Sequence, residues 1–405
     1  MLAHADADVR QLALHPCKDK DVDMPLALQQ IQGRQLARRK LPSWAATDGI
    51  VYPRHLSMEQ CSSEATARYK ARIAHQFAEH SKCLDLTGGF GVDTAFLSDL
   101  FDTTVYVERQ PDLCAIARAN FATLGKSITT LCADGIDFLH QLQQHVSLIF
   151  LDPARRDDHG GRTYGIGDCT PDVLPLLDEL LQKADHLLLK LSPMLDWRKA
   201  VSDVGPQRVE QVHIVAVDGE CKELLLLLSA EGSKAPRLIC ANDDKSVEFA
   251  LEKDGPAGNT SSTSSTSLTS FTSLTSISRL GLFLYEPHAA LMKGGLFGQL
   301  AERYGVAPLA PNSHLFLSLK PVPHFPGRSF RLTAVSTMNK QDLRRVVLPL
   351  KQANITVRNF PLSVAELRKR LKLGEGGSNY LFATTLATGE KVLLVGTPVS
   401  LQPLP

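Results

Sequence analysis

The sequence predicts an α/β protein built around a mostly parallel sheet, with a helical region before it and a small α+β domain after it. Between Cys83 and Leu228, short apolar runs rich in β-branched residues alternate with longer amphipathic stretches, as expected where helices cover a parallel sheet. Only the turn segment around Asp218-Gly219 separates the last two runs, which leaves no room for a crossover helix. We therefore expect five parallel-type strands followed by an antiparallel hairpin.

The strands of this sheet are predicted at seven places. They are CLDLT, TVYVE, ITTLCA, SLIFLD and HLLLKLS, followed by the hairpin strands VEQVHIVAV and ELLLLLS. Residues 81–230 are assigned to this domain, and residues 1–80, which are polar with helical spacing, to an N-terminal helical region. In that region, Ser57 and Gln60 have the spacing of a capping box.

After residue 230 the composition changes twice. Residues 231–325 are assigned to a connecting region that includes a Ser/Thr-rich tract at 254–278, where fourteen of the seventeen positions from Thr260 to Ser276 are Ser or Thr. Such a tract cannot bury enough apolar surface to offset its ordering entropy, so we expect a disordered insertion.

Residues 326–405 are predicted to form a compact α+β domain. Its elements are strand SFRLTAVS, helix NKQDLRRVVLPL, strand NITVRNF, helix SVAELRKRLK and a final hairpin, YLFATTL/GEKVLLVG. The hairpin turns at Thr388-Gly389, and Ser363 with Glu366 forms a capping box at the start of the second helix.

The formal net charge of +1 conceals two opposed regions. Residues 1–82 carry twelve Lys/Arg and nine Asp/Glu, residues 83–319 carry nineteen and thirty, and residues 320–405 carry thirteen and four. The centre of the chain is therefore acidic and its C-terminal part is basic.

Several classes of protein are excluded by composition. Charged residues interrupt every apolar stretch near the amino terminus, and the longest apolar run, Leu224 to Leu228, is far shorter than the ~20 residues that span a bilayer. The eight cysteines include no Cys-x-x-Cys pair. We expect a cytoplasmic protein with reduced thiols and no structural metal.

The most informative motif is the run DLTGGFGVD from Asp85 to Asp93, placed after an apolar strand and opening a helix. Glycines let the backbone approach a ligand, and a helix N-terminus offers free N–H groups. The spacing does not match the dinucleotide fingerprint, because Thr94 replaces the third glycine and Asp93 would repel a pyrophosphate. A positively charged sulfonium ligand suits such an acidic setting better.

Further polar residues follow the next three strands. Glu108 ends the second strand, where a carboxylate can accept both hydroxyls of a ribose, and Asp134 follows the third, where it could accept from an adenine amino group. The fourth strand ends at Asp152-Pro153-Ala154-Arg155-Arg156, at the edge where ligands bind in this architecture. Any one of these carboxylates could instead be a solvated strand-end residue. Arg155 and Arg156 could hold a phosphate.

In this order, DLTGGFGVD, VER, ADG, LDPARR and LKLSPMLD resemble the Rossmann-like class I S-adenosylmethionine-dependent methyltransferases, whose sheets also end in an antiparallel hairpin. The motifs VDGECKELL, YEPHAALMK, NSHLF, FPGRSF and RNFPL…GGSNYLFATTL resemble the bacterial methyltransferase family with a THUMP-like C-terminal domain. The resemblance covers nearly the whole chain except the Ser/Thr-rich tract. It implies S-adenosylmethionine as the cofactor.

The resemblance also implies roles for individual residues. It implies that Glu108 binds the ribose of the cofactor and that Asp134 binds its adenine. It also implies that methyl transfer occurs at Asp152, with Arg155 nearby in the sequence. The residues that it places in the cofactor loop are Asp85, Thr87, Gly88, Gly89 and Gly91.

The absence of residues that other methylation reactions require narrows the choice of acceptor atom. Enzymes that methylate exocyclic base amines show a second proline and a stacking aromatic residue, where this chain has Ala154 and Arg155. Carbon-5 pyrimidine methylation needs a nucleophilic cysteine beside the fifth strand, and LKLSPMLDW has none. We expect Cys221 in the hairpin to be a buried thiol without a catalytic role. A ring nitrogen or a ribose hydroxyl remains, with Asp152 as base or aligner.

THUMP domains are RNA-binding modules, so the resemblance implies structured RNA, such as tRNA or rRNA, as the substrate. The cations expected to contact it, together with Arg156, are Arg344, Arg345, Arg358, Arg368, Lys369, Arg370 and Lys372. Three alternatives stay open: a basic face that is only solvated, a methyltransferase acting on small molecules or proteins, and a non-catalytic RNA-binding scaffold that retains the cofactor pocket.

Overall fold

The structure is a computed structural model that describes residues 6–14, 22–155, 165–251, 277 and 281–399. It divides into two compact units: residues 1–239 with 250–256, and residues 240–249 with 257–405. The Ser/Thr-rich insertion expected at 254–278 lies almost entirely outside the described residues.

The N-terminal region of the first unit is helical, as the sequence predicts. Its helices are α1 (Val9–Leu14), α2 (Met24–Lys40), α3 (Pro42–Ala46), α4 (His55–Gln60) and α5 (Glu64–Ala74). The capping box predicted at Ser57 and Gln60 is wrong, because α4 begins at His55 and the Ser57 carbonyl already accepts from the Cys61 N–H within the helix. Ser63 caps α5 instead, its side chain accepting from the Thr66 N–H at 3.2 Å.

The first unit contains the predicted sheet. Its strands are β1 (Lys82–Asp85), β2 (Thr103–Glu108), β3 (Ile128–Cys132), β4 (Val146–Leu151), β5 (Ala154–Arg155), β6 (Cys169–Thr170), β7 (Ala184–Leu191), β8 (Val209–Val217) and β9 (Glu220–Leu228). They are followed by β10 (Arg237–Asn242), which crosses the unit boundary after residue 239, and β11 (Lys245–Ala250), nearly all of which belongs to the second unit. Seven strands lie in the order β3-β2-β1-β4-β7-β9-β8, β10 and β11 complete the nine-stranded sheet, and β5 pairs with β6 separately.

The pairing confirms the predicted topology. The pairs β1·β2, β2·β3, β1·β4 and β4·β7 are parallel. The two hairpin strands β8 and β9 are antiparallel, and β9 inserts between β7 and β8, antiparallel to both. The sequence did not predict β10 and β11, which lie in the stretch assigned to the connecting region. Because β1, β2, β3, β4 and β7 run parallel, their carboxyl ends lie at one edge of the sheet. This is the edge that binds ligands in open α/β folds.

Helices cover the sheet between its strands. They are α6 (Val92–Leu97), α7 (Pro111–Thr123), α8 (Gly135–Gln141), α9 (Leu177–Lys183) and α10 (Trp197–Val204). Every residue of β4 is buried, which is why its sequence, VSLIFL, is almost continuously apolar rather than alternating.

The N-terminal helices are part of the same core. The ring of Trp44 packs edge-on against Phe90, with centroids 5.0 Å apart, and the Asn120 amide makes two hydrogen bonds, of 2.8 and 2.9 Å, to the backbone of Val51. Lys70 of α5 is fully buried; its Nζ lies 3.1 Å from Asp93 Oδ1 and 2.5 Å from Glu223 Oε2.

The second unit contains a seven-stranded sheet with helices packed on it. Its strands are β12 (Phe283–Pro287), β13 (Ala307–Pro308), β14 (Phe316–Ser318), β15 (Gly327–Thr337), β16 (Asn354–Arg358), β17 (Tyr380–Thr385) and β18 (Lys391–Pro398), in the order β13-β14-β12-β15-β18-β17-β16. Its helices are α11 (Ala289–Gly294), α12 (Phe297–Tyr304), α13 (Lys340–Asp342) and α14 (Val364–Leu371).

The C-terminal elements were predicted well. The hairpin of β17 and β18 turns at Gly389, whose φ is +86°, and Ser363 and Glu366 form the predicted capping box at α14. The helix expected from Asn339 is irregular: after α13 it continues as a π-helical turn, Leu343–Val347, and a 3-10 turn, Leu348–Leu350. Within the described ranges, no helix is both long and apolar enough to cross a membrane.

We predict that Lys70→Met lowers the free energy of unfolding by about 3–5 kcal/mol at neutral pH, because it leaves the buried carboxylates of Asp93 and Glu223 without their cation. Urea denaturation followed by circular dichroism measures this loss. The matched control is Lys222→Met, which removes an exposed pair with Glu220 and should leave the free energy of unfolding close to the wild-type value. Equal losses in the two variants would contradict the prediction.

Candidate active site

The loop between β1 and α6 is held in place by Asp85. Its Oδ1 accepts from the Thr87 N–H at 3.0 Å, and its Oδ2 accepts from the Thr94 hydroxyl at 2.5 Å. Burial raises the pKa of Asp85 to about 7, although these two hydrogen bonds oppose the rise. Asp85 is therefore an internal support of the loop, with 1% of its surface exposed.

Two glycines of this loop cannot be replaced without displacing a neighbouring aromatic ring. A Cβ atom on Gly88 would lie 2.2 Å from the ring of Tyr106. Gly91 starts α6 with a φ of +85°, and a Cβ there would lie 2.6 Å from the ring of Phe121. The backbone at these positions lies against the aromatic rings, as only glycine allows.

Glu108, at the end of β2, faces the same loop. Its Oε2 accepts from the Gly89 N–H at 2.9 Å, and its Oε1 accepts from the Gln110 N–H at 2.8 Å. The Tyr106 hydroxyl donates to the Gly89 carbonyl at 2.6 Å. A carboxylate has about four lone-pair sites, so Glu108 can still accept two hydroxyl groups from a ligand.

Asp134, after β3, serves as the N-cap of α8. Its Oδ1 accepts from the N–H groups of Ile136 and Asp137 at 2.8 and 3.3 Å. This capping role was not predicted from the sequence. A Cβ on Gly135 would lie 2.0 Å from the Leu86 carbonyl oxygen. The loop after β3 therefore lies directly against the loop after β1, which places the exposed Asp134 beside the glycine turn.

Asp152 follows β4 and is tied to the same loop, because its N–H donates to Thr87 Oγ1 at 2.7 Å. Its Oδ2 lies 2.5 Å from Nζ of Lys190, on the neighbouring strand β7. Burial raises the pKa of Asp152, and Lys190 opposes that rise. The Asp152 side chain is 35% exposed, so a ligand can reach it.

A buried group of charges, which we name the acidic cluster, lies at this edge. Its carboxyl groups belong to Asp85, Asp93, Asp152 and Glu223, and its ammonium groups to Lys70 and Lys190. The Ser62 hydroxyl joins it by donating to Asp93 Oδ2 at 2.6 Å. Carboxyl groups outnumber ammonium groups by four to two, which favours a cationic ligand.

Most residues of the acidic cluster were not predicted from the sequence. Lys190 carried one usable signal, since it is a lone lysine in an apolar strand, HLLLKLS. Ser62, Lys70 and Glu223 carried none, because their partners lie far away along the chain.

The other residues predicted beside Asp152 are only partly described. Arg155 pairs through its backbone with Cys169 of β6; its side chain, and all of Arg156, lie outside the described residues. In the described part of the chain, no three His, Cys, Asp or Glu side chains converge as metal ligands do.

The predicted RNA contacts in the second unit fall into two groups. Three arginines have partners: Arg345 pairs with Asp342 at 2.9 Å, Arg358 pairs with the buried Glu286 at 2.9 Å, and Arg368 donates to the carbonyls of Ala353 and Gly374. Glu286 also binds Arg328, which the sequence reading did not single out. Among the described residues, the predicted cations that are exposed and have no recorded ion pair are Arg344, Lys369, Arg370 and Lys372.

These four cations belong to one helical layer. Leu343, Val347, Leu367 and Leu371 pack into the same apolar cluster on the sheet of the second unit. We call Arg344, Lys369, Arg370 and Lys372 the basic helical layer.

The residues of the first unit fit S-adenosylmethionine, the cofactor that the sequence resemblance implies. Gly88 and Gly91 form a turn that has no room for side chains, Glu108 retains lone pairs for a diol, and the acidic cluster has an excess of carboxyl groups for a sulfonium. When bound, this cofactor supplies an electrophilic methyl group.

Comparison with known proteins agrees with this fit. A solved structure of a candidate methyltransferase from Porphyromonas gingivalis W83 matches with a TM-score of 0.82 and 32% identity, covering 98% of this chain and 96% of that one. An uncharacterized S-adenosylmethionine-dependent methyltransferase of Mycobacterium tuberculosis is 25% identical over 320 residues, which are 78% of this chain and 80% of that protein.

Shorter matches describe parts of the chain. Ribosomal RNA small subunit methyltransferase J of Legionella pneumophila is 38% identical over 80 residues, covering 18% of this chain and 33% of that protein. Residues 327–398 match a family described as THUMP domain-like, and residues 283–326 match one described as a ferredoxin-like domain. The chain belongs to the S-adenosylmethionine-dependent methyltransferases that carry a THUMP-like C-terminal domain.

Proposed function

We propose that this enzyme methylates a ring nitrogen or a ribose hydroxyl of structured RNA. The observation that carries the proposal is the basic helical layer, four exposed cations on the THUMP-like part of a methyltransferase. Clustered cations of this kind bind phosphate backbones. The 80-residue match to a protein named as a ribosomal RNA methyltransferase supports the same substrate class.

On the cofactor side, Glu108 accepts the two ribose hydroxyls with the lone pairs that Gly89 and Gln110 leave free. The loop from Asp85 to Gly91 holds the rest of the ligand, with Gly88, Gly89 and Thr87 contributing backbone. Asp134 keeps its second carboxylate oxygen, Oδ2, for the adenine amino group while Oδ1 caps α8.

On the acceptor side, Asp152 is the proton acceptor, and Arg155 follows it in the chain, in β5. S-adenosylmethionine, held by the loop from Asp85 to Gly91 and by Glu108, would supply the methyl group, and Asp152 would accept the proton that the acceptor nitrogen or oxygen gives up. Among the described residues, Asp152 Oδ1 has no hydrogen-bond partner, whereas Oδ2 is held by Lys190. Oδ1 is therefore the oxygen available to the acceptor.

The structure offers an observation against carbon-5 chemistry. The N-terminal region places Cys61 within electrostatic range of Asp93 and Lys190, so a thiol is present near the site. Burial raises its pKa, however, and a protonated thiol is a poor nucleophile. A nitrogen or oxygen acceptor needs no such thiol.

We predict that Glu108→Gln weakens binding of S-adenosylmethionine at least about tenfold, because the amide replaces one acceptor oxygen with a donor nitrogen. Isothermal titration calorimetry on the full chain measures the affinity. The control is Glu231→Gln, an exposed residue of the same type, which should bind as the wild type does. Unchanged affinity in Glu108→Gln would refute the ribose assignment.

We predict that replacing Arg344, Lys369, Arg370 and Lys372 by Gln weakens binding to bulk tRNA or rRNA and flattens its dependence on salt. Each lost phosphate contact should reduce the slope of log affinity against log salt by about one. Fluorescence anisotropy at several salt concentrations measures the slope.

A matched variant tests whether position or total charge matters. It replaces four exposed lysines elsewhere, Lys199, Lys222, Lys234 and Lys245, by Gln, so the net charge changes equally. Binding should stay near the wild-type level. If both variants lose RNA affinity equally, the basic helical layer is not the binding surface.

A further inference from the structure

Lys190 stands in an unusual place for a charged residue. It is the penultimate residue of β7, and the last five residues of that strand are all buried. Only 11% of its side chain is exposed. An ammonium group in such a position is costly unless it is paired, and an apolar residue would fill the strand at no such cost.

The register of the sheet explains which partner it has. In the parallel pairing of β4 and β7, Leu151 lies opposite Leu189, so the next residues of the two strands, Asp152 and Lys190, come side by side at the carboxyl edge. The Nζ–Oδ2 distance is 2.5 Å. Lys190 is held within β7, and the backbone of Asp152 is held by its hydrogen bond to Thr87 Oγ1, so the ion pair fixes Oδ2 of the carboxylate.

The other charged groups near this pair come from several elements. Asp85 is the last residue of β1, Asp93 is on α6 and Glu223 is on β9, and each interacts electrostatically with Asp152 or with Lys190. Burial by itself would lower the pKa of Lys190, but Asp152, Glu223 and Asp93 together raise it well above its ordinary value.

The second cation of the cluster, Lys70 on α5, is occupied by Asp93 and Glu223. Lys40 on α2 lies within electrostatic range of Lys190, and its Nζ donates to the backbone carbonyls of Met58 and Glu59 at 2.9 and 2.6 Å. Among the described residues, Lys190 is thus the one cation that contacts the Asp152 carboxylate directly.

We propose that Lys190 is a positioning residue for methyl transfer: it keeps Asp152 as a carboxylate and fixes its Oδ2, which leaves Oδ1 for the acceptor's proton. This inference rests on the proposed role of Asp152. It goes further by assigning a task to a lysine that lies on a different strand and is almost entirely buried.

A purely structural lysine would give a different result from a positioning lysine. An ammonium group 2.5 Å from the carboxylate lowers the pKa of Asp152 in either case, so the titration tests the contact, and only a positioning lysine also moves the acid limb of the pH–activity profile. Loss of Lys190 must raise the pKa of Asp152. The sign follows from charge: without the neighbouring cation, the protonated form of the acid persists to higher pH.

The test compares Lys190→Met, Lys190→Arg and the wild type, all as the full chain. Aspartate is labelled with 13C at the carboxyl carbon, and the Asp152 resonance is identified by its disappearance in Asp152→Asn. We expect the Asp152 titration to move up by at least about one pH unit in Lys190→Met, and Lys190→Arg to remain within about half a unit of the wild type.

The control is Lys199→Met, which removes an exposed lysine–aspartate pair on α10 and should leave the Asp152 titration in place. If Lys190→Met does not fold, Lys190→Gln serves the same comparison. An Asp152 titration that is the same in the wild type and in the neutral variant would overturn the proposal.

A second readout uses activity. Transfer of labelled methyl from S-adenosylmethionine to total RNA from cells lacking the protein is followed from about pH 5 to about pH 9. The acid limb of the profile should move to higher pH in Lys190→Met and return in Lys190→Arg; an unmoved limb contradicts the proposal. If wild-type enzyme labels no RNA at any pH, the proposed function fails, while the titration of Asp152 still tests whether Lys190 keeps it as a carboxylate.

Discussion

The interaction on which the first unit depends is the pairing of buried carboxylates with two lysines at the carboxyl edge of the sheet. Asp93 and Glu223 are compensated by Lys70, and Asp152 by Lys190. Charges removed from water must be paired, or they destabilise the fold by several kcal/mol. Because Lys70 and Ser62 come from the N-terminal region, that region completes the charge balance of the site as well as covering the sheet.

The acidic cluster is one part of the uneven distribution of charge along the chain. Its excess of carboxyl groups contributes to the acidic centre of the sequence and suits a cationic cofactor, while the C-terminal residues carry thirteen Lys/Arg against four Asp/Glu. Not all of these cations are available to a polyanion. Arg328 and Arg358 are held by the buried Glu286, whereas the four cations of the basic helical layer are exposed.

Features fixed by local sequence were predictable, and features fixed by pairing between distant strands were not. The glycine turn, the hairpin after Val217 and the cap at Ser363 follow from neighbouring residues and were predicted correctly. Lys190 meets Asp152 only because β7 pairs with β4, and Arg358 on β16 meets Glu286 on β12 across three intervening strands of the second sheet. The capping box predicted at Ser57 failed for a different reason: the local spacing is present, but no helix begins at that position.

The central claim is that this methyltransferase modifies RNA through Asp152. Its most direct test is mass spectrometry of the nucleosides in rRNA and tRNA from cells that lack the protein, from cells complemented with the wild type, and from cells complemented with Asp152→Asn. The account predicts that one base-nitrogen- or ribose-methylated nucleoside is missing in the first, restored in the second and missing again in the third. Identical nucleoside profiles in all three would contradict it.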